Sequence, residues 1–116
     1  MKRVNRLSRS RDFDAVYRQG RSVSSRFLVL YWFPHEDPGA PRFGFSVPKS
    51  VGGAVERNRI KRQLREVWHA RLDHVPAGND YVLIVRPGLP DAVAANGFEW
   101  LGARVDEVLA MTKVAA

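Results

Sequence analysis

Apolar side chains alternate with polar ones in one stretch of this chain and recur every three or four residues in others. RFGFSV, 42–47, alternates strictly: Phe43, Phe45 and Val47 share one face, opposite Arg42, Gly44 and Ser46, which is the period of a strand. The stretch 26–33 also reads as a strand, apolar on both sides. Phe27, Val29, Tyr31 and Phe33 point one way and Leu28, Leu30 and Trp32 the other, so both of its faces should be covered. The turn-rich PHEDPGAP, 34–41, joins these strands and predicts an antiparallel hairpin. YVLIVRP, 81–87, is a third strand that stops at Pro87, and 22–25 is a short fourth sheet segment.

Helical spacing predicts three helices. Ser10 caps the first, Asp12 suits its first turn, and Gly20 ends it, with Phe13 and Tyr17 on one face. The second covers 54–72, with Ile60, Leu64, Val67 and Trp68 within an arc of roughly 100°. The third covers 98–113, with Phe98, Leu101, Val105, Val108 and Leu109 in phase. PKSVGG, 48–53, reads as a loop, and GLPDAVAANG, 88–97, as a loop with room for one helical turn. The order helix, strands, helix, strand, helix predicts an α+β fold, helices packed on a small sheet. At 116 residues, 45% of them apolar, the chain suits one domain over 1–116 with a modest core. Residues 1–9 form a basic arm on it.

Charge changes the picture of the 54–72 helix. Arg57, Lys61 and Arg65 form a row beside its apolar stripe, Asn58 and Arg62 a second row, and Arg59 lies to the outer side. No acidic residue falls within 57–65. Like charges at this spacing repel, and a face serving solubility alone would mix signs. The asymmetry extends further: residues 1–71 hold 16 Lys/Arg against 6 Asp/Glu, a balance of +10, and residues 72–116 hold 3 against 6, a balance of −3. A polyanion that neutralises the face accounts for it: nucleic acid first, an anionic membrane surface second. Arginine's planar fork suits phosphates and base edges. Asn58 suits a 2′-hydroxyl or base edge, or simply caps the helix start.

Other chemistry is poorly supplied. Without cysteine there is no disulfide, thiolate site or cysteine nucleophile. His35, His69 and His74 lack the carboxylate spacing of a transition-metal site. FSVPKSVGG lacks the order of a phosphate loop, and no Ser–His–Asp arrangement is suggested. Acidic residues are too few in the basic part for a two-metal nuclease centre. The N-terminal segment is charged without an apolar run, unlike a secretory signal. No stretch reaches the length of a membrane span.

RNRIKRQLRE after FGFSVPKSVGGAVE resembles the signature segment of the bacterial ribonuclease P protein component. The opening NRLSRSRDFDAVYRQGRS and the later YVLIVRP are similar to that family too, so the resemblance spans about residues 4–113. It implies a two-layer sandwich of a four-stranded mixed sheet with about three helices and a left-handed strand–helix–strand crossover (ribosomal protein S5 domain 2-like), against the usual right-handed rule. It implies a cytoplasmic protein subunit, one per catalytic RNA and with no membrane partner, that assists removal of the 5′ leader from precursor tRNA. The RNA carries the active centre and most of the magnesium, so the chain has no catalytic residue and no metal site. By the same resemblance, Arg57, Asn58, Arg59, Lys61, Arg62 and Arg65 contact the RNA subunit. Phe13, Tyr17, Tyr31 and Lys49 meet the single-stranded leader, although Ser50 stands where the family often has a second basic residue. Aromatic faces stack on unpaired bases with little sequence preference, while ordinary core packing is the alternative for Phe13. Lys2, Arg3, Arg6, Arg9 and Arg11 add phosphate contacts, or are a frayed tail. An unrelated ribosomal-type RNA-binding module and a protein-only nuclease are the rival readings. A membrane-surface role conflicts with the apolar stripe, which the core needs.

Overall fold

The computed structural model describes residues 10–34, 41–75 and 78–115. Helix α1 (Ser10–Gln19) ends at Gly20, whose N–H donates to the Val16 carbonyl at 2.9 Å. A Cβ on Gly20 would run into that carbonyl and lie 2.6 Å from the Trp32 carbonyl oxygen. Glycine therefore lets the chain turn hard against the sheet and start β1 (Arg21–Ser24). β1 pairs antiparallel with β2 (Leu28–Pro34). β3 (Arg42–Ser46) leads through a short 3-10 turn (Lys49–Val51) into α2 (Ala54–Arg71). β4 (Asn79–Val85), α3 (Leu89–Asn96) and α4 (Phe98–Ala115) complete the fold.

The four-stranded mixed sheet runs β1–β2–β4–β3. β2 and β3 are not the antiparallel hairpin their spacing predicts. β4 lies between them, antiparallel to β2 (Leu30 opposite Leu83) and parallel to β3 (Phe45 opposite Leu83). Burial explains the order: Tyr81, Val82, Leu83 and Val85 are all buried, so β4 is apolar towards both faces and belongs at the centre. The β3–α2–β4 segment is thus a parallel crossover.

One face of the sheet carries the main core. Leu28, Leu30 and Trp32 of β2, Phe43 of β3, and Tyr81, Leu83 and Val85 of β4 meet Ile60, Leu64, Val67 and Trp68 of α2 and Leu101, Val105 and Val108 of α4. Phe43 stacks on Trp68 at 4.1 Å between ring centroids. Phe27 also packs on this side, edge-on to Trp100 at 5.6 Å, rather than on the side its alternation predicts. β2 begins only at Leu28, so the two-residue period does not reach Phe27. Phe98, expected within the α4 stripe, is 44% exposed because it is the first residue of the helix.

The 88–97 segment is more than a loop. Leu89 and Val93, four apart, bury one side of α3, Pro90 sits in its first turn, and Gly97 ends it at φ 93°. That makes four helices among the described residues, where about three are expected. Among the described elements, the opposite sheet face carries α1 alone. There Val16 and Val82 are buried, while Phe13, Tyr31, Phe33 and Ile84 remain half-covered.

Candidate nucleic-acid interface

The apolar stripe of α2 is fully used by the core: Ile60, Leu64, Val67 and Trp68 are buried. The basic residues project from a rigid base. Arg57, Lys61 and Arg65 are half-buried along one flank, and Asn58, Arg59 and Arg62 are exposed. Arg59 stands on the other flank, towards α3 and the start of α4. The helix is capped by Gly53 with no side-chain hydrogen bond. Asn58 lies a full turn further in, so the capping alternative does not hold and its amide faces solvent.

Partners distinguish these cations from the rest. Among the described residues, the ion pairs join Arg42 to Asp80, Arg71 to Asp106 and Arg104 to Glu107. None involves Arg57, Arg59, Lys61, Arg62 or Arg65. Arg71, the next basic residue along α2, shows the contrast: it grips Asp106 of α4 with Nε and Nη2, and also donates to the Val67 carbonyl. The pair raises the Arg71 pKa and lowers that of the Asp106 carboxyl. Arg57 is the opposite case, with its Nε buried and without a hydrogen-bond partner. A buried N–H left unpaired is costly; Arg104 Nε and the core Trp68 Nε1 share that state, Arg104 even though its Nη2 meets Glu107.

A second surface lies on the α1 face of the sheet. Phe13 and Tyr17 of α1 have ring centroids 6.4 Å apart, and Tyr17 meets Tyr31 of β2 edge-on at 5.3 Å. Phe13 serves both the core and this wall, for it packs on the Val16–Val82 cluster and also touches Tyr17. Tyr17 is 39% exposed, so part of its ring faces solvent. Burial pushes its phenol above the ordinary pKa. The Ser46 hydroxyl of β3 pulls it back, and Tyr31 and Asp14 add to the rise. The phenol is therefore a neutral donor near pH 7.

Ser46 was not expected at this surface, although the alternation of 42–47 already sets it on the face away from Phe43. Arg42, on that same face, forks onto Asp80 with bonds of 2.8 and 2.7 Å. Lys49 is exposed in the turn that connects β3 to α2. It is three residues from Ser46, but no hydrogen bond or cation–π contact joins it to the described rings. By chain order it sits between the aromatic wall and the first turns of α2.

Lys2, Arg3, Arg6 and Arg9 lie outside the described residues, as does His35, and of Arg11 only the backbone is described. Among the described residues, no three His, Cys, Asp or Glu side chains gather closely enough to hold a metal ion. No described helix is long and apolar enough to cross a membrane.

The model of a family described as Ribonuclease P matches residues 1–112. The chain is 45% identical over 105 residues to the ribonuclease P protein component of Acidothermus cellulolyticus, covering 90% of this chain and 84% of that one. It is 37% identical over 116 residues to that of Shouchella clausii, covering 100% and 92%. Among solved structures, the RNase P protein of Staphylococcus aureus superposes with a TM-score of 0.84 at 31% identity, over 95% of this chain and 96% of that one. The RNase P protein of Thermotoga maritima gives 0.81 at 27%, over 90% and 94%.

Proposed function

The chain belongs to the bacterial ribonuclease P protein component family, part of the endoribonuclease that matures tRNA 5′ ends, and from that premise we propose that two surfaces of one domain divide its work. The exposed and half-buried basic face of α2 binds the ribonuclease P RNA through Arg57, Asn58, Arg59, Lys61, Arg62 and Arg65. The α1 face binds the leader of precursor tRNA: Phe13, Tyr17 and Tyr31 stack on its unpaired bases, and Lys49 meets a phosphate. The arm, with Lys2, Arg3, Arg6, Arg9 and Arg11, adds phosphate contacts. One chain joins one RNA in the cytoplasm.

The observation that carries this reading is that the α2 cations Arg57, Arg59, Lys61, Arg62 and Arg65 have no ion-pair partner among the described residues, beside arginines elsewhere that have acidic partners. Phosphates would supply the missing negative charge and release counterions from the RNA. From family membership, we assign the metal and the hydrolytic step to the RNA. The chain's part is to hold the leader beside that centre, which lowers the magnesium the reaction needs.

Cleavage of a precursor tRNA at low magnesium tests the reading. Bacterial ribonuclease P RNA alone, the chain alone, and the two together are compared. Cleavage at the mature 5′ end by the mixture alone is expected. Equal cleavage with and without the chain contradicts the proposal.

A further inference from the structure

Between the first turns of α2 and the starts of α3 and α4 lies a surface pocket of about 260 Å³. Its size is slightly below the ~300 Å³ lower end of small-molecule sites. Its floor is apolar, with Ile60 and Val93, and the half-exposed ring of Phe98 stands at its side. Gly97, at φ 93°, makes the tight corner between α3 and α4 that brings Phe98 there. Three charged groups also line it: Arg59, Glu56 and Asp91. None forms an ion pair or hydrogen bond with another described residue, although they share one small concavity. Glu56 turns back towards Gly52, which leaves Asp91 as the carboxylate opposite Arg59.

We propose that this pocket takes one unpaired guanine of the RNA subunit, an inference that rests on the assignment of α2 to that RNA. Asp91 opposite Arg59 disfavours a phosphate, and the apolar floor and ring favour a flat heterocycle. Guanine presents N1–H and an N2 amino group on one edge and O6 and N7 on the next. A carboxylate accepts from the first pair and a guanidinium donates to the second. Adenine, cytosine and uracil do not offer that adjacent pair of donors and pair of acceptors. The pocket borders the basic rows, because Arg59 is three residues before Arg62 and neighbours it on the helix surface.

Kethoxal, which modifies N1 and N2 of unpaired guanines, tests the assignment on the RNA–protein complex. The wild-type chain should protect one guanine that Asp91→Asn and Phe98→Ala both leave reactive. Each variant should weaken RNA binding by about tenfold. Both positions are exposed, and an unchanged thermal melt checks that the variants fold. Wild-type binding in which every protected guanine stays protected in both variants overturns the pocket assignment and leaves the α2 reading intact. Protection of an adenine or cytosine there instead also overturns it. No binding of the RNA by the wild-type chain overturns both.

Discussion

Arg42 and Arg57 carry the same guanidinium in opposite circumstances. Arg42 meets Asp80 across neighbouring strands through two short bonds, and Asp80 is only 4% exposed. Arg57 holds a buried Nε with nothing to accept its hydrogen. The first arrangement stabilises the sheet, and the second leaves a donor unpaired among the described residues. Asp80→Ala should therefore destabilise the fold by about 2 kcal/mol, below the ~3–5 kcal/mol of a fully buried broken pair, because the Arg42 side chain keeps some contact with water. Urea unfolding measures it, and a loss under ~0.5 kcal/mol would remove the pair from the account of stability. Neither circumstance is visible in the residue type. Asp80 stands 38 positions from Arg42, and only the parallel register of β3 and β4 brings them together.

Helix α2 joins an apolar stripe to a dense positive face, and in the proposed function the two serve different partners: the core and the RNA. Ile60, Leu64, Val67 and Trp68 fix the helix on the sheet, and the cations are then held at fixed spacing for the RNA contact proposed above. Arg57→Ala combined with Arg62→Ala should weaken binding of the RNA subunit and reduce its salt slope by about 1 to 2, the release expected for one to two phosphate contacts. An unchanged slope would show that these residues meet no phosphate. This element was legible in the sequence because both of its patterns are local and repeat with the helical turn. The short 34–41 connection predicts β2 beside β3, but strand neighbours are chosen by burial across the whole sheet, where the doubly apolar β4 outcompetes it. The Gly and Pro flanks of α3 read as loop signals, and they outweigh in the sequence the i,i+4 pair Leu89 and Val93 that docks the helix.

Assembly makes the second surface. Phe13 and Tyr17 come from α1, Tyr31 from β2 and Ser46 from β3, and they meet only because α1 crosses the sheet face that α2, α3 and α4 leave open. The sequence marks each ring as a candidate but cannot say that Tyr17 and Tyr31 touch. If the two surfaces, with Lys49 on the connection between them, take the two proposed ligands, binding of each should fail independently. The decisive measurement is a crossed comparison of Tyr17→Ala and the Arg57→Ala/Arg62→Ala double variant. Each is assayed for affinity to the RNA subunit, and, once assembled at saturating protein, for affinity to precursor tRNA with and without a long leader. Tyr17→Ala should leave RNA-subunit affinity intact and cost about 1–3 kcal/mol on the leader-bearing substrate alone. The double variant should lose RNA-subunit affinity and, once assembled, bind both substrates as the wild type does. Equal losses in every assay from both variants would contradict a division of labour between the two surfaces.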